Sequence, residues 1–188
     1  MKRSPVRVLF ILAAGAALTA GAFYAANAVT ENEMLKAFVV NAHIFGAIVI
    51  AFISGLNFIV PVPPATFAPI FLEAGVSMYI VVAGFVIGTT LADSLGYFFG
   101  WVGKRYADSS YPAFTERLHD FLGEHHRLVL PVTFAYFAFA PLPNELILIP
   151  LALAGYRFRV LIIPMILGNI FHHSLLVFGY QSVFLWLF

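Results

Sequence analysis

The chain has 188 residues, few enough for one domain, and 62% of them are apolar, 16% aromatic and only 10% charged. With a mean hydropathy of +0.94, this excludes an ordinary soluble core and points to a polytopic membrane protein. The net charge of +1 is uninformative as a total, and the lack of cysteine excludes a disulfide framework, a thiol nucleophile and thiolate metal ligation.

In chain order, Lys2, Arg3 and Arg7 precede an apolar stretch from Val8 to about Val29. Ala26-Asn27-Ala28 has the small-residue pattern of a cleavage site. The apolar run is longer than a signal-peptide core, which favours an uncleaved N-terminal transmembrane helix over 1–30. Either reading puts Glu31 and Glu33 outside. The further apolar segments are 37–60, 65–74, 78–102, 129–139, 145–155 and 160–188. A full crossing takes about 20 residues at 1.5 Å each, and 65–74, 129–139 and 145–155 are about half that length.

The cytoplasmic excess of Lys and Arg decides between topologies. If 37–60 crossed fully, 78–102 would end outside and expose Lys104, Arg105, Arg117 and Arg127 on the wrong face. If 37–74 instead enters and returns, turning at Pro61-Val62-Pro63-Pro64, those cations become cytoplasmic. Segment 129–155 then enters from the cytoplasm and turns at Pro141-Leu142-Pro143. It returns to leave Arg157 and Arg159 inside, and 160–188 crosses outward. Nine of the ten Lys and Arg are then cytoplasmic, Lys36 being the exception. The first part of 37–60 is too long for half a hairpin and is expected to lie along the outer interface or cross obliquely. Between the halves, Pro112 follows Ser109-Ser110 as a helix start, and Phe114, Leu118, Phe121 and Leu122 recur at helical spacing. This predicts an amphipathic connector, either on the cytoplasmic membrane surface or packed on the bundle. His125-His126 read as part of its solvated face.

Residues 60–108 align with 140–188 without a gap at an offset of eighty. The identities are Pro61/Pro141, Pro63/Pro143, Ala74/Ala154, Gly75/Gly155, Gly88/Gly168, Ser94/Ser174, Leu95/Leu175 and Phe98/Phe178. The weight of the match lies in its type, because prolines and glycines coincide at turns and close-packing positions. Irregular backbone survives at membrane depth only inside protein or along a wet cavity. The expected fold class is therefore an all-α integral membrane protein with an inverted repeat of two re-entrant, proline-broken hairpins, each followed by a transmembrane helix. Its parts are the N-terminal helix (1–30), a first hairpin-plus-helix repeat (37–104), a cytoplasmic connector (105–128) and a second repeat (129–188). The bland reading is that the prolines only kink long helices.

The stretch GTTLADSLGYFFGWVGKR, residues 88–105, resembles a signature of the DedA family of SNARE-associated, or VTT-domain, membrane proteins. Shared features are Gly88, Asp93 after small Ala92, Tyr97, Gly100 and the basic Lys104-Arg105. The proline-rich segment 60–75 resembles that family's first re-entrant hairpin. The resemblance spans about 50–180. It implies an inverted-repeat protein of the bacterial inner membrane that translocates lipids or couples transport of lipid carriers to protons; the Lys and Arg distribution puts its N-terminus in the cytoplasm. The chain is a divergent member on this reading. Ala65 and Thr66 stand where the family carries an acidic residue, Asn144-Glu145 where it carries phosphate-suited arginines, and the final crossing of many members is missing.

Glu145 stands at the second hairpin tip with apolar residues after it. A charge at mid-bilayer costs roughly 2.5–3.5 kcal/mol on insertion scales, so it must be protonated, paired or wet. Asn144 and Glu145 are equally suited to capping the returning half-helix. Asp93 lies about nine residues from the cytoplasmic end of 78–102, and its counterpart at offset eighty is His173. That relation predicts an Asp93–His173 pair, with His172 turned about 100° away from the site. Asn41, His43 and Asn57 are candidate cavity residues or plain helix contacts. Asn169 and Thr89, beside the matched glycines, read as helix packing.

The functional expectation is a membrane transporter or lipid translocase, with protons coupled through Glu145 and Asp93, partnered by His173 and Asn144. Pro61, Pro63, Pro141, Pro143, Gly75 and Gly155 would form the hairpins. The partners expected are the bilayer, a lipid headgroup and protons, with no cofactor, no nucleic acid and room for a homo-oligomer. One alternative is a non-transporting membrane assembly or scaffold protein. A remote one is an intramembrane metal enzyme using Asp93, Glu145 and the histidines, although no HExxH, Gly-x-Ser-x-Gly or phosphate loop is present. Single cysteines test the topology: Asn32→Cys should label from outside and Asp108→Cys from inside, while Val62→Cys and Leu142→Cys resist bulky reagents from both sides. Labelling of position 108 from outside would reverse the orientation.

Overall fold

The computed structural model describes residues 32–34, 37, 41–56, 63–140 and 142–187. The expected helix over 1–30 and the residues Asn57, Pro61 and Pro141 lie outside the described residues. Among the described residues every regular element is helical: α1 (Ile44–Gly55), a 3-10 turn (Pro64–Phe67) leading into α2 (Ala68–Glu73), α3 (Met78–Ser110), α4 (Pro112–Glu124), α5 (His126–Phe139), α6 (Glu145–Leu153) and α7 (Phe158–Leu187). Two stretches among the described residues are long and apolar enough to cross a membrane: Met78–Lys104 in α3, with mean hydropathy 1.6, and Phe158–Gly179 in α7, with 1.9. By contrast, α1 has 12 residues, α5 has 14 and α6 has 9. At 1.5 Å per residue these reach only about 13–21 Å against a hydrocarbon core of roughly 30 Å.

Local sequence sets where these helices stop and start. Helix α2 ends because Gly75 takes φ 81°, where Val76 N donates to Phe71 O (2.9 Å) and Gly75 N to Leu72 O (3.0 Å). Helix α6 ends the same way, with Gly155 at φ 86°, Tyr156 N donating to Leu151 O (3.0 Å) and Gly155 N to Ala152 O (3.0 Å). Both are glycine-terminated Schellman turns, and they lie eighty residues apart. Ala140 is extended (φ −78°, ψ 124°), as the residue before Pro141 must tend to be, and this stops α5. Pro112 opens α4 at the place its spacing predicts.

Glycines bring the short helices onto the long ones. On α3, Gly84 faces Ala47, and Gly88 faces the backbone of Ile48 and Phe52. Ala92 and Thr89 face Gly55, so numbers rise together, α1 runs parallel to α3, and it stops at the level of Thr89–Ala92. Helix α2 lies back beside the first turns of α3, with Ile70 and Phe71 buried among Val81, Val82 and Phe85. Helix α6 also runs parallel to α3, from Gly96 beside Glu145 to Gly100 beside Ile149 and Ala152. Helix α5 packs on α7 through Gly168, which faces Phe134, Phe137 and Ala138. The two long helices are antiparallel to each other. Thr89 meets His173 and Asp93 meets Asn169, so a step of four forward on α3 is a step of four back on α7.

The outside of this bundle is apolar and its inside is partly polar. Ile87, Leu91, Leu95 and Phe98 of α3 are exposed, as are Ile163, Leu167, Ile170 and Leu175 of α7. Thr89, Asp93, Thr133, Glu145, Asn169 and His173 are buried. An apolar surface of this extent suits lipid rather than water. One end of the bundle gathers basic residues. Lys104 Cε lies close beside Gly155, at the turn that leads to Arg157 and Arg159. Tyr97 donates a hydrogen bond to Tyr156 O (2.8 Å), and Tyr156 donates to Leu122 O (3.0 Å), tethering α4 to the same end. The expected apolar face of α4 divides: Leu118 and Leu122 are partly covered, whereas Phe114 and Phe121 are 57% and 59% exposed.

A Cβ at Gly88 or Gly168 would overlap backbone or Cβ atoms of α1 or α5, whereas one at Gly103 meets nothing within 4 Å. Gly88→Ala and Gly168→Ala are each expected to destabilise the fold by about 1–3 kcal/mol through overpacking. Gly103→Ala should stabilise by about 0.5–1 kcal/mol through helix propensity. Thermal unfolding in detergent measures both, and equal effects at all three glycines would contradict this packing.

Candidate functional site

The polar interior concentrates where α3 and α7 cross. Asp93 is 2% exposed and lies fifteen residues from Met78 and eleven from Lys104, about 22 and 16 Å from those ends. Two amides serve its two oxygens: Asn144 Nδ2 donates to Oδ1 at 2.9 Å and Asn169 Nδ2 to Oδ2 at 2.9 Å. Asn169 Nδ2 also reaches Thr90 Oγ1 at 3.2 Å. A carboxylate that accepts one N–H at each oxygen is held in place while keeping lone pairs to spare.

Asn144 is available for this because it does not cap α6. It occupies the N-cap position with helical dihedrals and no side-chain cap bond, and the start of α6 is closed by Leu146 N donating to Pro143 O (3.1 Å). The capping role open to Asn144 from sequence is therefore not the one it has. Glu145, the first residue of α6, is 7% exposed. Gly96 makes room for it, since a Cβ there would sit 3.1 Å from Glu145 Cγ. Tyr136 donates to Pro143 O (2.9 Å) and braces the same turn.

The hydrogen-bond pattern assigns the two histidines opposite tautomers. Thr89 gives its single hydroxyl proton to Phe85 O (2.7 Å), so its 3.2 Å contact with His173 Nε2 is one that the imidazole donates. His173 Nδ1 is then a lone-pair acceptor, and it is buried with no partner. His172 Nδ1 stands 3.2 Å from Ala138 O, and because a carbonyl can only accept, His172 donates from Nδ1 and keeps Nε2 as its acceptor.

These groups border one cavity of about 260 Å³. Its wall includes Ser54, Gly55, Pro63 and Pro64 from the first half of the chain. Leu142, Pro143, Asn144 and Glu145 come from the second, and Thr89, Asp93, Asn169, His172 and His173 from the crossing helices. The site residues expected from sequence, Asp93, Asn144, Glu145 and His173, thus meet at one place, together with Pro63 and Pro143. Gly75 and Gly155 lie away from it, at helix ends.

Three expectations need correction. Asp93 and His173 do not bond to each other. The antiparallel register sets Asp93 opposite Asn169 and His173 opposite Thr89, one helical turn away from a direct meeting. His172 shares the cavity despite its 100° offset, because the ring lies between α7 and the end of α5 and borders the space both close. Asn41 and His43 do not border it, since both are exposed at or before the start of α1. Sequence reasoning also undervalued Asn169 and Thr89, which supply the bonds to Asp93 and His173. The pairs 89–173 and 93–169 are each other's images at an offset of eighty, a relation that becomes informative only once the register of α7 on α3 is known. Among the described residues no group of three or more His, Asp or Glu stands close enough to hold a metal ion. Comparison of the chain with family models, curated proteins and solved structures gives no match.

The Asp93–Asn169 bond is open to a double-mutant cycle on unfolding. Asp93→Ala and Asn169→Ala are expected to couple by about 1.5–3 kcal/mol, the range for a hydrogen bond to a charged group. Coupling below about 0.3 kcal/mol would remove this bond as an organising contact, since distant sites add to within that margin.

Proposed function

We propose that the chain is a small inverted-repeat membrane transporter or lipid translocase, related to the DedA proteins, whose site is the cavity between two re-entrant hairpins. The observation that carries this reading is the cavity itself. Proline-containing turns from both halves border it, at the depth of Asp93 in a helix long enough to span. Inverted repeats commonly hold substrate and coupling ions there, between broken half-helices.

The repeat is supported by more than the matched prolines and glycines. Thr66 N donates to Pro63 O and Leu146 N to Pro143 O, Val76 to Phe71 and Tyr156 to Leu151, Ile80 to Ser77 and Val160 to Arg157. Every one of these pairs differs by eighty. Because α3 and α7 are antiparallel, an axis relating the two units lies in the membrane plane near Leu91 and Phe171. The half-length helices α1 and α2 then form a hairpin from one side, and α5 and α6 form one from the other. The basic end, with Lys104, Arg157 and Arg159, is the cytoplasmic one by the positive-inside rule.

Proton coupling is the chemistry these groups suit. Asp93 is locked by two amides, whereas Glu145 has no side-chain partner among its contacts and sits at the turn. The fixed carboxylate serves as the counter-charge and the free one as the exchanging group. In proteoliposomes loaded with a pH-sensitive dye, the wild-type chain should pass protons under an imposed potential. Glu145→Gln should lose at least tenfold in that flux while its melting temperature stays within a few degrees. Unchanged flux in the variant, or none in the wild type, would overturn the coupled-transport reading.

A further inference from the structure

We propose that the cavity takes a small organic cation, a protonated amine with N–H donors, rather than the phosphate headgroup that the DedA likeness implies. The inference rests on reading this cavity as the transport site and assigns that site a substrate class.

Charge comes first. Among the described residues the cavity wall carries two carboxylates, Asp93 and Glu145, and no lysine or arginine. A phosphate would meet like charge with nothing to offset it. The N-terminus of α6 does favour anions in general. Here that field is already met by Glu145, the acidic residue in the first turn of α6. It is not left for a ligand.

Hydrogen-bond roles agree. Asp93 has one amide on each oxygen and lone pairs remaining. His173 presents an unpartnered Nδ1 acceptor although it is 2% exposed, and a buried polar atom without a partner calls for a physical explanation. His172 keeps its Nε2 acceptor on the same cavity. The unused capacity is therefore acceptor capacity, which an ammonium with several N–H groups satisfies and a phosphate oxygen does not. Phe137 also lines the space, and an aromatic ring there favours a cation over a neutral guest.

Size and geometry narrow the class. About 260 Å³ corresponds to roughly nine waters at ~30 Å³ each, enough for an amine with a handful of heavy atoms. A bare metal ion is the poorer fit, because no three His, Asp or Glu among the described residues converge closely enough to hold one.

Titration calorimetry on the full-length protein in detergent, with butylamine and inorganic phosphate as probes, tests this. Butylamine is expected to bind with a millimolar or tighter Kd. Asp93→Asn, which keeps the shape and loses the charge, should weaken it at least tenfold, and so should Glu145→Gln, which breaks no side-chain hydrogen bond and covers the case in which Asp93→Asn fails to fold. Glu73→Gln, on an exposed residue at the end of α2, should leave the affinity unchanged. The inference is overturned if phosphate binds and butylamine does not, if butylamine binds equally well to the folded variants, or if neither probe binds. Binding needs no vesicle, so amine binding without proton flux would fail the transport reading alone, and flux without amine binding would fail this inference alone.

Discussion

Asp93 is the constraint on which the rest of the architecture turns. A carboxylate in the middle of an apolar helix, 2% exposed, has to find donors within the protein, because burying a charge without partners costs far more than any single helix contact returns. It finds them in two asparagines from different elements, Asn144 at the start of α6 and Asn169 on α7. Those two bonds tie the turn before α6 and the crossing helix to one point of α3. The turn is thereby kept at the depth of the crossing, and α6 has to begin there.

Small residues make that meeting feasible. Gly84 and Gly88 let α1 approach α3 down to backbone contact, Gly100 does the same for α6, Gly96 leaves room for the Glu145 side chain, and Gly168 lets α5 approach α7. In lipid the apolar effect between helices is weak, so close van der Waals packing and interhelical hydrogen bonds are what hold segments together. The glycines supply the first and the Asp93 cluster the second. Between the contacts a cavity remains whose wall is irregular backbone and unused acceptors. Irregular backbone of that kind is stable at depth only beside protein or water. The proposed transport site and the proposed cationic guest both follow from this arrangement of leftover acceptors.

Some of this was legible without coordinates because it is written in local chemistry. Gly75 and Gly155 stop their helices through left-handed dihedrals that only their own φ values decide. Pro112 starts α4 because a proline suits the first turn. Glu145 was conspicuous as a charge in an apolar run. The pairing of Asp93 was not legible: matching residues at an offset of eighty singled out His173, yet the antiparallel register places equivalents one turn off contact. His172 was set aside on helical angle alone, although the end of α5 closes the cavity around its flank.

Sequence by itself determined the helical segments, the glycine stops after α2 and α6, the start of α4 and the placing of charge at one end of the bundle, because propensity, proline and glycine stereochemistry and hydropathy act over a few residues; α3 nevertheless runs on to Ser110, past the expected end of its apolar segment. Tertiary structure alone decided which side chains meet. The axial register of α7 on α3 is set by the joint packing of glycines and hydrogen bonds from four helices. A slide of one turn, about 5.4 Å, would exchange every partner of Asp93 and His173 without altering any local preference.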